Sequence, residues 1–132
     1  MSAEILNASL VEIAEAIRRK DFSSVEVVQA SIARAESLQP VLNCFIQLLG
    51  DEALADAKQA DSELARGELR GPLHGVPLAH KDMYYRAGKR STCGSKIRKD
   101  YIADHDSTAL KRLLDAGSIY LGGLNMAEFA TG

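Results

Sequence analysis

Along the first half of the chain the apolar residues recur with a helical period. Ser9-Leu10-Val11-Glu12 reads as a capping box, in which the serine and the glutamate satisfy each other's orphan backbone N–H groups. Leu10, Ile13, Ala14 and Ile17 then fall on one helical face, and Arg18, Arg19 and Lys20 suit the negative end of the helix dipole. The pattern recurs at Ser23-Ser24-Val25-Glu26, followed by Val25, Val28, Ile32 and Ala35, with Pro40 expected to stop the helix. Leu42 to Leu49 is a short apolar run that reads as a strand or an extended link. A further helix is expected from Asp51 and Glu52, carrying Leu54, Ala57, Asp61 and Leu64 on one side and ending at Arg66 and a left-handed Gly67.

After residue 70 the punctuation changes. Gly71-Pro72-Leu73-His74-Gly75 is turn chemistry, and Val76-Pro77-Leu78-Ala79-His80 is a brief strand ending at Lys81-Asp82. Residues 86–105 are rich in Gly, Ser and charge, as in a long loop. Asp106 or Ser107 is placed to cap a helix with Leu110, Leu113 and Leu114 on its apolar face, closed by Gly117. Ile119-Tyr120-Leu121 reads as a buried strand, followed by Gly122-Gly123. Strand, loop, helix, strand is the grammar of a parallel βαβ crossover. The expectation is one α/β segment over 1–132, helical in 1–70 and α/β in 71–132. The only internal repeat is the duplicated capping box.

Composition narrows the class. A chain of 132 residues, 46% hydrophobic and 26% charged with a net charge of −2, has the make-up of an ordinary globular domain rather than a disordered one. No apolar run approaches the ~20 residues that span a bilayer, and the N-terminal residues lack the basic and apolar regions of a secretory signal. Two cysteines, Cys44 and Cys93, are too few for a disulfide scaffold, so the expected setting is the cytoplasm with reduced thiols, away from membranes. Charge is uneven: residues 1–70 carry an acidic excess and 71–132 a basic one. Seven cations, Lys81, Arg86, Lys89, Arg90, Lys96, Arg98 and Lys99, face only Asp82 between positions 81 and 99. Such a run is either a solvated loop or a footprint for phosphate or nucleic acid, here without the aromatic pattern of RNA-binding modules.

Lys81 is the informative position. The carboxyl end of an apolar parallel strand is where α/β proteins place ligands. Burial there disfavours an ammonium ion and frees a neutral amine to act as a base. The plainer alternatives are a lysine reaching solvent or pairing with Asp82. His74, His80 and His105 have no metal-ligand spacing and read as structural or surface residues. Gly122-Gly123-Leu124-Asn125 lacks the residues of a phosphate loop. Ser91, Ser95 and Ser107 have no base paired with them in sequence, and Cys93 reads as a packed thiol.

Together these segments carry a resemblance. Gly71-Pro72-Leu73-His74-Gly75-Val76-Pro77-Leu78-Ala79-His80-Lys81-Asp82 resembles the lysine segment of the amidase signature family. Thr92-Cys93-Gly94-Ser95 is similar to the loop that follows it, and Asp106-Ser107-Thr108-Ala109 with Leu113 and Ala116-Gly117 to the next helix. Leu121-Gly122-Gly123-Leu124-Asn125-Met126-Ala127-Glu128-Phe129-Ala130-Thr131-Gly132 is similar to the family's next strand and turn. The resemblance implies a mixed sheet covered by helices and a Ser–cis-Ser–Lys triad that hydrolyses amides without a metal or cofactor. Lys81 takes the lysine position, and Ala130, Thr131 and Gly132 fall at the substrate pocket. The bridging serine, the nucleophile and the oxyanion loop lie further along in the family, so the chain corresponds to the N-terminal portion of a longer enzyme. Two departures stand out: Gly123 replaces a frequent lysine, expected to touch surface rather than chemistry, and His80 replaces a commonly apolar residue.

The resemblance leaves two enzymatic readings. One is a free-standing amidase acting on a small amide. The other is the catalytic A subunit of a tRNA-dependent amidotransferase, with tRNA and partner subunits. Asn125-Met126 and Glu128-Phe129-Ala130 resemble the corresponding segment of that enzyme. The third reading is a binding or scaffold module acting alone. Both short strands are expected to be central in a larger sheet, so the chain by itself should expose strand edges and self-associate, as a homo-oligomer or an aggregate.

Overall fold

The computed structural model describes residues 2–131. Both capping boxes form: Ser9 with Glu12 opens α2 (Leu10–Arg19), and Ser23 with Glu26 opens α3 (Ser24–Leu42). The backbone and hydroxyl hydrogen bonds of Ser9 and Ser23 hold the Glu12 and Glu26 carboxyls below the usual glutamate range. A further helix, α1 (Ser2–Asn7), precedes them and buries Ile5. It has no repeated apolar face, so the sequence pattern did not reveal it.

Pro40 does not stop α3, which runs on to Leu42 and ends on Asn43 in the left-handed region, with the Asn43 N–H bonded to the Gln39 carbonyl. A proline in the last turn removes one hydrogen bond yet leaves few residues to misalign. The apolar run after it becomes β1 (Phe45–Leu48). Then comes α4 (Gly50–Ala65), whose buried stripe is Ala53, Ala57 and Ala60, one residue round from the expected face. These small side chains let α4 lie close against α3 and the sheet, with Leu54 and Leu64 half-buried at the flanks. Asp61 turns toward α3 and accepts from the N–H groups of Ser24 and Val25 at 2.7 and 3.1 Å, capping that helix from outside its own chain segment.

β2 (Pro77–Lys81) runs parallel to β3 (Ile119–Leu124), joined through α5 (Thr108–Asp115), and β1 pairs with the other side of β3 antiparallel. The sheet is therefore mixed, in the order β1-β3-β2. Only β3 is central. β2 presents an unpaired edge in this chain, as expected of a strand whose further neighbours would belong to a larger sheet. Ser107, not Asp106, caps α5, because Asp106 is occupied by Arg86 and by the Ala87 N–H. One apolar cluster joins Val28, Ile32 and the α4 alanines to Ile119 and Leu121, and a second joins Ile5, Ala14, Ile17, Val27 and Val76. α3 is shared by both. Among the described residues no helix is long and apolar enough to cross a membrane.

Asp61→Ala leaves two N–H groups at the start of α3 without acceptors and is expected to lower stability by about 1–2 kcal/mol, read as a reduced urea midpoint. Acidification acts in the same direction: the stabilisation from Glu12 and Glu26 is present above their unfolded pKa and fades as pH falls below it. The Glu12→Gln/Glu26→Gln double variant, which removes the titrating groups, should flatten the fall in melting temperature below about pH 4.5.

Candidate functional site

The three segments set apart in sequence, 71–82, 92–95 and 121–132, meet at the carboxyl end of β2. The junction is the residue after Lys81. Asp82 is 3% exposed. Its N–H donates to the Leu124 carbonyl at 3.0 Å, extending the parallel ladder one step past the strand. Its carbonyl accepts from the Cys93 N–H at 3.1 Å and the Ser91 hydroxyl at 2.8 Å. Its carboxylate accepts from the Thr92 N–H at 2.7 Å and the Thr92 hydroxyl at 2.6 Å. Successive strand residues point to opposite sides, so Asp82 turns inward while Lys81 faces out.

The segment held by Asp82 holds the next one. Cys93 and Gly94 both adopt positive φ, 53° and 69°, and the Cys93 carbonyl accepts from the Phe129 N–H at 2.8 Å. Ser95 donates to the Glu128 carboxylate at 2.6 Å. A Cβ on Gly94 would lie 2.6 Å from the Met126 carbonyl oxygen, so only glycine admits this crossing. Phe129 and Ala130 also have positive φ, 51° and 58°, an uncommon pair for residues bearing a Cβ. Ala130 and Thr131 are exposed on this turn, and the Thr131 hydroxyl donates to the Glu128 carbonyl. Gly132, the remaining pocket candidate, lies outside the described residues.

Lys81 is exposed, which corrects the expectation of a lysine held dry. The physical cause is its place on the last residue of an edge strand, where Asp82 occupies the interior. Nor does it pair with Asp82, whose carboxylate is taken by Thr92. Gly123 is likewise not a surface position. It is buried, and a Cβ there would stand 2.6 Å from an Asp82 carboxylate oxygen. The departure at 123 therefore bears directly on the residue that anchors Lys81.

His80 stacks on Tyr120, centroids 5.6 Å apart and 13° from parallel, and meets Tyr84 edge-on. Burial pushes its pKa below the ordinary histidine value and favours the uncharged ring. Tyr120 is pushed up to about 12, first by burial and then by the Asp82 charge, and stays protonated. His74 is structural: its Nε2 donates to the Ala60 carbonyl at 2.9 Å, so its Nδ1 is the acceptor for the Arg70 N–H. His105 lies on the surface beside Asp104. The three serines considered in sequence are committed, Ser91 to Asp82, Ser95 to Glu128 and Ser107 to the cap of α5. Asp82 and Thr92 are the site residues that sequence reasoning undervalued, although strand alternation already placed Lys81 and Asp82 on opposite sides.

Comparison with known proteins bears on what this junction is. The family model described as Amidase matches residues 26–132. The chain is 45% identical over 124 residues to the A subunit of the glutamyl-tRNA(Gln) amidotransferase from Methylococcus capsulatus, covering 94% of this chain and 25% of that protein. Among solved structures it is similar to a native peptide amidase from Stenotrophomonas maltophilia, with a TM-score of 0.86 and 32% identity over 93% of this chain and 26% of that one. It is also similar to a fatty acid amide hydrolase, with a TM-score of 0.90 and 27% identity over 96% of this chain and 22% of that one. The chain spans about a quarter of the length of the curated relatives it matches.

Asp82→Ala leaves both Thr92 donors buried without an acceptor and is expected to cost about 2–3 kcal/mol. Gly123→Ala forces the same carboxylate aside and should destabilise by about 1–3 kcal/mol. Both are read by chemical denaturation, with loss of hydrogen-exchange protection at the Thr92 and Cys93 amides.

Proposed function

The chain belongs to the amidase family, and on that footing we propose that it supplies the lysine of a Ser–cis-Ser–Lys relay that hydrolyses the C–N bond of carboxylic amides. The observation that carries this reading is the junction itself. Lys81 ends a parallel strand, and the peptide after it is bonded on every side to the two other segments of the family resemblance. A proton acceptor needs that constancy of position, since proton transfer operates over hydrogen-bond distances.

In the proposed reaction a nucleophilic serine passes its proton through a bridging serine to Lys81 Nζ, and its oxygen attacks the amide carbonyl carbon. A serine hydroxyl is a weak nucleophile without such a base. Backbone donors stabilise the resulting oxyanion. The C–N bond then breaks as the leaving amine takes up a proton, and water releases the acyl group as the acid. Both serines and the oxyanion donors would come from the length of the relatives that this chain does not span. That remainder would also cover Lys81 and supply the dry surroundings its role requires. Under the same reading Ala130, Thr131 and Gly132 form part of the amide pocket, and 1–132 is the N-terminal part of one amidase domain. The relay uses no metal or cofactor. The free thiols of Cys44 and Cys93 suit a cytoplasmic enzyme. The outer edges of β1 and β2 would be covered by the rest of the enzyme or by self-association.

A second reading has its own support in the 45% identity to the amidotransferase protein, against 32% for the peptide amidase. There the same relay would release ammonia from glutamine for transfer to a mischarged tRNA, with partner subunits present. Ammonia release from glutamine that depends on a co-purifying partner would favour it, and turnover of small amides by the isolated enzyme would favour the first.

In the complete enzyme, Lys81→Ala is expected to lower kcat by roughly 100- to 10,000-fold, the usual contribution of a positioned acid–base group. In the chain 1–132, where the side chain is exposed, the same substitution should change stability by no more than about 0.5 kcal/mol. A variant with unchanged kcat would remove Lys81 from the relay.

A further inference from the structure

The fold sorts the basic stretch between residues 86 and 99 into two groups. Three of its cations are spoken for. Arg86 pairs with Asp106 at 3.1 Å and Lys89 with Glu52 at 2.5 Å. Arg98 lies 3.9 Å over the Tyr101 ring and donates to the Tyr85 hydroxyl. Arg90 and Lys96 form no ion pair among the described residues, and Lys99 reaches only its exposed neighbour Asp100, at 4.0 Å. These three remaining cations line one cavity of about 300 Å³, together with Thr92, Ser95 and Asn125.

Their convergence has a backbone cause. The segment expected to be a plain loop is a folded excursion: Arg90 is bridged to Ile102, Ser91 N–H bonds the Tyr101 carbonyl, and Ser95 caps a 3₁₀ turn, Lys96–Arg98. Residues three apart eclipse on such a turn, which sets Lys96 and Lys99 on one side. The neutral groups of the cavity are already engaged. The Thr92 hydroxyl donates to Asp82, the Ser95 hydroxyl to Glu128, and the Asn125 amide to the Asn43 carbonyl. Glu128 keeps its negative charge beside Ser95, and Asp100 lies next to Lys99. The charged side chains that line the cavity itself are all cations, Arg90, Lys96 and Lys99, and an anion entering it would offset their charge.

We propose that Arg90, Lys96 and Lys99 form a binding pocket for a phosphate group, borne by a small phosphate ester or by a ribonucleic-acid strand. A phosphate brings up to two negative charges and three acceptor oxygens, which match one planar guanidinium fork and two ammonium points. The proposal goes beyond amide hydrolysis, and its test needs no turnover.

The full chain, isotope-labelled, is titrated with inorganic phosphate and, at matched ionic strength, with chloride. The expected result is saturable shifts of the Arg90, Lys96 and Lys99 signals with phosphate alone. The R90Q/K96Q/K99Q variant should bind phosphate at least about tenfold more weakly, while Lys58→Gln on the exposed side of α4 should bind it unchanged. Short single-stranded RNA with and without a 5′-phosphate separates the sources. A backbone ligand binds in both forms, with log K falling against log salt at a slope of about −2 for three contacts. A terminal phosphate ligand binds only when phosphorylated and is displaced by inorganic phosphate. Shifts that track ionic strength alone, or a triple variant that binds like the parent, would overturn the site. If the triple variant fails to fold, the phosphate-against-chloride map of the parent chain decides the question.

Discussion

A buried carboxylate is costly unless donors meet it, and the N–H and hydroxyl of Thr92 both donate to one oxygen, Oδ2, of Asp82. Because Asp82 follows Lys81 directly, satisfying the carboxylate also determines where the strand end sits. The main-chain groups of Asp82 bond to Leu124, Ser91 and Cys93. Segments as far apart in sequence as Asp82 and Leu124 are thereby drawn to one point. The lysine is held by its neighbour's burial and not by contacts of its own ammonium group.

That arrangement explains the otherwise puzzling conformations nearby. Cys93, Phe129 and Ala130 all adopt positive φ, which residues with a Cβ ordinarily avoid. Each lies where the 91–95 segment crosses the turn after β3, at the Phe129–Cys93 and Ser95–Glu128 hydrogen bonds. Strain of this kind persists where surrounding bonds over-determine the backbone, and it clusters at functional sites. The helical half supplies the rigidity behind it. α3 is gripped from one side by α1, α2 and Val76 and from the other by α4 and β3, so the sheet rests on a doubly packed helix.

The electrostatics divide along the same lines. Cations that meet a carboxylate or a ring within the fold are structural, as with Arg86, Lys89 and Arg98. Those left facing outward are Lys81 at the strand end and the trio at the 3₁₀ turn. Sequence alone shows seven cations in a row of nineteen positions as one feature. The fold separates them into charges that hold the protein together and charges available to something else.

Local signals were legible without coordinates. The capping boxes at Ser9 and Ser23, the helix after Ser107, and the ordered motifs around Lys81, Thr92 and Asn125 all depend on residues close together in the chain, whose physics is complete within a few positions. The features that required tertiary structure involve partners far apart. α4 turns its alanines inward because a sheet lies close beside it, and Asp61 caps a helix thirty-seven residues away. β2 lies at an edge because β1 takes the other side of β3. Asp82 faces Thr92 and excludes a side chain at Gly123, which no spacing rule states. Sequence determined most of the elements, α1 and the 3₁₀ turn excepted, and which lysine ends the strand; only folding decided what each charge meets, because burial and pairing are properties of distance in space.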